Sequence, residues 1–124
     1  MTYLKNKTAL VTGSSSGIGF EIVKYLSRFD MQIIVTARRE DKLLELKEEV
    51  ESKSNSKVIV LVKDLANSDS PQEIYDFCKN KNYKVDFLVN NAGYGFTEDF
   101  DSYDLEKLDG FLNVLLNSLV KLTR

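Results

Sequence analysis

The sequence predicts an α/β fold built on a parallel sheet, and three observations carry that prediction. Short apolar runs alternate with amphipathic helical patterns along the chain, the order that a series of βαβ units produces. The clearest run, Val58-Ile59-Val60-Leu61-Val62, shows no polar alternation, as a parallel strand apolar on both faces requires. A glycine-rich string, Thr12-Gly13-Ser14-Ser15-Ser16-Gly17-Ile18-Gly19, stands between the first strand and the first helix.

Each element follows from its residues. Ala9-Leu10-Val11 reads as the first strand, introduced by polar Lys5-Asn6-Lys7-Thr8. From Ile18 onward Ile22, Leu26 and Phe29 recur at helical spacing. Ile33-Ile34-Val35 is a β-branched second strand. Leu43, Leu46 and Val50 mark the inner face of a charged second helix, and Val58 to Val62 form the third strand. Ser70-Pro71-Gln72-Glu73 predicts a helix start, with Ser70 as cap, Pro71 at the first position and Glu73 closing a capping box. Ile74, Phe77 and Cys78 then face inward, which makes Cys78 a small core residue. Val85 to Val89 is the fourth strand, and a last helix runs to Arg124 after an acidic stretch.

Composition narrows the function. The 124 residues read as one domain over 1–124, with 17 Lys+Arg against 19 Asp+Glu and a net charge of −2. Without a long basic run, neither nucleic acid nor an anionic membrane is expected as the main partner. One Cys forms no internal disulfide, and the absence of His argues against a transition-metal site and against Ser-His-Asp or Cys-His catalysis. With no long apolar run or apolar leader, the chain reads as cytoplasmic.

The glycine string carries the chemistry. Glycines let backbone approach a ligand closely, and the following helix offers unpaired N–H groups with partial positive charge. Strand before and helix after, the pattern predicts a diphosphate site. About 20 residues on, where strand two ends, stands Ala37-Arg38-Arg39. An acid there would take a free ribose 2′-hydroxyl, whereas Arg accommodates a 2′-phosphate. Guanidinium pairs with phosphate in bidentate fashion, so NADP(H) is expected over NAD(H), with Arg38 as the contact; the plainer alternative is that both arginines solvate the next helix.

With Lys63-Asp64-Leu65 after strand three and Asn90-Asn91-Ala92-Gly93 after strand four, the chain resembles the short-chain dehydrogenases/reductases of the TGxxxGxG and NNAG type from Lys7 to Arg124. The resemblance implies the N-terminal half of a Rossmann-type doubly wound parallel sheet, strands one to four in the order 3-2-1-4. It implies that Gly13, Ser15, Ser16, Gly17, Ile18 and Gly19 surround the phosphates, Asp64 and Leu65 face adenine, and Asn90, Ala92 and Gly93 flank the nicotinamide ribose. It further implies an oxidoreductase of small carbonyl or alcohol compounds. The expected alternative is a nucleotide-binding module, or a truncated piece, that catalyses nothing.

The chain departs from this family in three ways. Members are about twice as long, and their catalytic Ser and YxxxK lie in the second half, so no catalytic residue is assigned here. Tyr3/Lys7, Tyr75/Lys79 and Tyr103/Lys107 satisfy the YxxxK spacing but stand on the wrong elements. Counting from either flanking motif, the family's helix-four Asn falls on Leu115, with Asn113 able to substitute only through a helix irregularity. Leu105, Leu108, Leu112, Leu115, Leu119 and Leu122 also form a seam at spacings of three and four. It reads first as that helix's core-facing stripe, and second as a surface pairing with another chain, a homo-oligomer in which strand four is not left as a wet edge.

Overall fold

A computed structural model describes residues 2–94 and 99–124. Four parallel strands, β1 (Thr8–Thr12), β2 (Gln32–Ala37), β3 (Lys57–Val62) and β4 (Phe87–Val89), form one sheet in the order β3-β2-β1-β4. Leu10 pairs with Ile34 on one side and with Leu88 on the other, and Ile34 pairs in turn with Ile59. Helix α1 (Gly17–Leu26) connects β1 to β2, α2 (Glu40–Lys53) connects β2 to β3, and α3 (Ser70–Asn80) connects β3 to β4. The last helical stretch is α4 (Leu105–Leu112), a π-helical turn at Asn113–Asn117, and α5 (Ser118–Thr123).

The sheet's two faces bury different residues because β-strand side chains alternate. Ala9, Val11, Ile33, Val35 and Val58 pack with Val23 of α1 and with Leu43, Leu46 and Val50 of α2. Leu10 and Ile34 face the other way, against Ile74 and Cys78 of α3 and Val114. The predicted inner faces of α2 and α3 are therefore the observed ones, and Cys78 is a buried free thiol. Burial pushes that thiol's pKa up, since low-polarity surroundings disfavour the thiolate.

The structure corrects three expectations. β3 lies at the sheet edge, so only Val58 is fully buried and Val62 is 40% exposed. Its apolar run is not a doubly buried strand. Two α2 side chains shield this edge, Lys47 Nζ donating to the Val58 carbonyl at 3.0 Å and Glu51 Oε2 accepting from the Val58 N–H at 2.9 Å. Sheet edges are commonly blunted with charged side chains in this manner.

The predicted capping box does not form. Asp69 is the N-cap of α3 and makes no side-chain cap bond, Ser70 Oγ donates to the Asp64 carbonyl at 2.6 Å, and Glu73 binds Lys63 instead. The leucine seam is not a core-facing stripe either, because Leu105, Leu112, Leu115 and Leu119 are exposed. The residues turned inward are Val114 and Ser118, with Leu122 partly buried. The π turn adds a residue to the helical repeat, but Leu105 and Leu112 are already exposed before it.

Candidate functional site

All the motif segments lie at one end of the molecule, just beyond the carboxyl ends of the strands: the glycine turn after β1, Arg38 after β2, Asp64-Leu65 after β3 and Asn90 to Gly93 after β4. Ligands of open α/β sheets bind in this crevice.

The turn after β1 is suspended from both neighbouring strands. Gly13 N–H donates to the Thr36 carbonyl at 2.9 Å, and Ser14 Oγ donates to the Val11 carbonyl at 3.1 Å. Thr12 Oγ1 accepts from the N–H groups of Asn91 and Ala92, each at 3.0 Å, and Asn91 Nδ2 donates to the Gly13 carbonyl at 3.0 Å. The β1 and β4 loops are thus one hydrogen-bonded unit. Thr12 and Asn91, absent from the expected cofactor contacts, are its braces. Both are legible in the sequence as motif positions, the Thr of the glycine string and the second Asn of Asn90-Asn91-Ala92-Gly93.

The glycines have separate reasons. Gly13 has φ +65°, and a Cβ there would stand 2.7 Å from Ala92 Cα. A Cβ on Gly19 would stand 2.4 Å from both Asn91 Nδ2 and the Gly13 carbonyl oxygen. Gly17 has φ +60° and nothing within 4 Å of a built Cβ, so its backbone faces open space. Ser16, the N-cap of α1, makes no side-chain cap bond. An open cradle with an uncapped helix start and no acidic residue in the first helical turn fits an anion.

The remaining expected residues are placed as follows. Ser15 is partly buried, while Ser16, Gly17 and Ile18 are exposed on the rim of the turn, Ile18 at 73%. Arg38 is exposed, and among the described residues no ion pair engages it or Arg39. Asp64 is exposed and its Oδ1 accepts from the Ala66 N–H at 2.9 Å, while the Leu65 side chain is buried in the α3-side core. Asn90 Nδ2 donates to Thr123 Oγ1 at 3.1 Å, which ties the β4 loop to α5. Ala92 and Gly93 complete the rim, and a Cβ on Gly93 would meet Leu115 Cδ2 at 2.9 Å. Leu115 therefore lies directly on the β4 loop. The helix irregularity exists, but the Asn113 amide donates to the Ala66 carbonyl at 2.9 Å and its Oδ1 accepts from Asn117 at 2.8 Å. Asn113 is thereby turned towards the β3 loop and does not take Leu115's place. Of the near-YxxxK pairs, Lys107 Nζ stacks 4.9 Å from the Tyr103 ring centroid, beside its own helix start.

A cleft of about 890 Å³ opens between α3, β4 and α5, lined by Pro71, Ile74, Cys78, Leu88 and Leu122 among others. None of the motif residues lines it. Among the described residues there is no group of His, Cys, Asp and Glu able to hold a metal ion, and no helix is long and apolar enough to cross a membrane.

The sheet order, the crossover helices and the glycine turn on the carboxyl side define a Rossmann-like α/β unit. Known proteins agree. A sequence profile described as short chain dehydrogenase matches residues 7–124, and the chain belongs to that family. It is 38% identical over 124 residues to 2-dehydro-3-deoxy-D-gluconate 5-dehydrogenase of Bacillus subtilis, covering 98% of this chain and 46% of that protein. It is 29% identical over 114 residues to an uncharacterized oxidoreductase of Staphylococcus saprophyticus, covering 92% and 49%. The structure superposes on L-sorbose reductase from Gluconobacter frateurii, solved with NADPH and L-sorbose, with a TM-score of 0.90 at 29% identity, over 100% of this chain and 48% of that one. A metagenomic short-chain oxidoreductase in complex with NADP gives a TM-score of 0.89 at 29% identity, over 98% and 55%. The chain spans about half the length of these relatives.

Proposed function

We propose that these residues form the NADP(H)-binding portion of a short-chain oxidoreductase acting on a small carbonyl or alcohol compound. The single observation that carries the reading is the β1–β4 unit, in which Thr12 and Asn91 lock a glycine turn open beside an uncapped helix start. Arg38 supports the phosphorylated cofactor, being exposed and without an ion-pair partner among the described residues. Two of the solved relatives were obtained with NADPH or NADP.

In this reading Gly13, Ser15, Ser16, Gly17, Ile18 and Gly19 bind the phosphates. Arg38 takes the 2′-phosphate, Asp64 and the Leu65 backbone border adenine, and Asn90, Ala92 and Gly93 border the nicotinamide ribose. The cofactor supplies hydride chemistry, and this chain's residues bind and orient it. Leu115, at the position where the family resemblance puts an Asn, offers neither donor nor acceptor, so the 124 residues bind without moving a proton. The exposed Leu105, Leu112 and Leu119 face is covered in solution by a second copy; sedimentation that finds only monomer at low micromolar concentration contradicts this.

The test is cofactor titration followed by NADPH and NADH fluorescence. NADPH binds more tightly, and Arg38→Asp weakens NADPH more than NADH. Equal losses for both cofactors overturn the assignment, and binding of neither by the unaltered chain overturns the proposed function.

A further inference from the structure

The ends of β2 and β3 place a second cation beside Arg38. The last register pair is Ala37 with Val62, and the Lys63 N–H then donates to the Ala37 carbonyl at 3.0 Å. Arg38 and Lys63 thus leave neighbouring strands side by side, at the spacing of about 4.8 Å that separates paired strands. The two differ in occupation. Arg38 is exposed and has no ion-pair partner among the described residues, whereas Lys63 Nζ is bound by the Glu73 carboxylate from the first turn of α3. The Lys63 side chain is 25% exposed, against 36% to 74% for the lysines of the other ion pairs described. Asp64, its neighbour in sequence, bonds the Ala66 N–H.

We propose that Lys63 is a specificity-determining residue for the 2′-phosphate, held in reserve by Glu73 and exchanged onto the phosphate when the cofactor binds. The proposal rests on the function proposed above and adds a residue to it. Glu73 keeps a favourable place without Lys63, because a carboxylate in the first turn of a helix faces the positive end of the helix dipole. A phosphomonoester carries more negative charge than a carboxylate and presents three acceptor oxygens, so it competes for the ammonium. The compact ammonium on a flexible stem can pivot between the two partners. Arg38 then supplies the fixed planar contact and Lys63 the movable point charge.

The experiment is direct titration of the chain with NADPH and with NADH. Lys63→Met is expected to lower NADPH affinity about tenfold, the weight of one charge-assisted bond, and to leave NADH affinity unchanged. Lys63→Arg keeps the preference, as a structural loss would not. Glu73→Gln, which frees the lysine without removing it, raises NADPH affinity several-fold. If Lys63→Met weakens both cofactors equally, or neither, while Arg38→Asp still abolishes the preference, the role of Lys63 is overturned and the proposed function stands. If Arg38→Asp also leaves the preference unchanged, the NADP(H) reading itself falls.

Discussion

The two faces of the sheet are finished to different degrees. On the α1–α2 face, strand residues such as Val11, Ile33 and Val35 are fully buried, and the two helices close over them with Val23, Leu43 and Leu46, also fully buried. On the α3–α5 face, Leu10 and Ile34 are covered, yet the helical stretch beyond residue 104 exposes Leu105 at 79%, Leu116 at 54% and Val120 at 56%. Phe87 of β4 is 37% exposed, and no strand pairs with the outer edge of β4 among the described residues. The first face is sealed by local crossovers, each helix folding back onto the strands it connects. The second needs surface from elsewhere to cover the same kind of side chain. The glycine turn hangs from β2 through the Thr36 carbonyl and is clamped to the β4 loop through Asn91.

Substitutions sharpen that contrast, beginning with the largest effect. Leu46→Ala empties a fully buried position and is expected to cost about 2–5 kcal/mol in urea unfolding, whereas Leu119→Ala, at an exposed position, costs less than about 0.5 kcal/mol. The small loss at Leu119 holds for the dissociated chain at high dilution; it grows at concentrations where the second copy is bound, and a loss that stays small at every concentration contradicts that copy.

Gly13→Ala combines a left-handed backbone with a contact of 2.7 Å to Ala92 Cα. It should cost about 2–4 kcal/mol by the same measurement. Gly17→Ala meets only the backbone penalty, about 1 kcal/mol, and is expected to lose NADPH binding out of proportion to its stability, since the added methyl enters the open cradle.

Thr36 Oγ1 is buried without a hydrogen-bond partner among the described residues, so the nearly isosteric Thr36→Val is expected to stabilise the chain by about 1 kcal/mol; a loss instead would show that the hydroxyl has a partner in solution. The smallest effect is on pH. The Cys78 pKa is raised in the folded chain by burial, so the unfolded chain releases its thiol proton first as pH rises. The thiol's contribution is therefore fully present below its ordinary value of 9.0 and is lost as pH climbs towards the raised folded value. Cys78→Ala should flatten that alkaline slope in urea titrations repeated across pH.

Much of the fold was legible because its signals are local. Apolar run length, helical spacing at Leu43, Leu46 and Val50, and the glycines between β1 and α1 each express a constraint within a few residues of chain. Where the reading failed, the missing partner was distant in sequence. Glu73 matches a capping box by spacing, but the Lys63 ammonium competes for it from β3. Val58 to Val62 has the composition of a central strand, yet position in the sheet depends on which crossover follows. The leucine seam has correct periodicity for a core stripe, yet α4 presents Leu105 and Leu112 to solvent even before the π turn, and the buried positions beyond it are Val114 and Ser118.

The candidate site divides along the same line. The sequence by itself determined the turn, the diphosphate signature and the basic residue after β2, because glycine freedom, helix-start chemistry and charge are properties of the residues where they stand. Only the tertiary structure decided that Thr12 and Asn91 brace the turn, that Leu115 lies on Gly93, and that Lys63 emerges beside Arg38 under the hold of Glu73. Those are contacts between strands and helices up to 80 residues apart in the chain, and their geometry is set by register and packing.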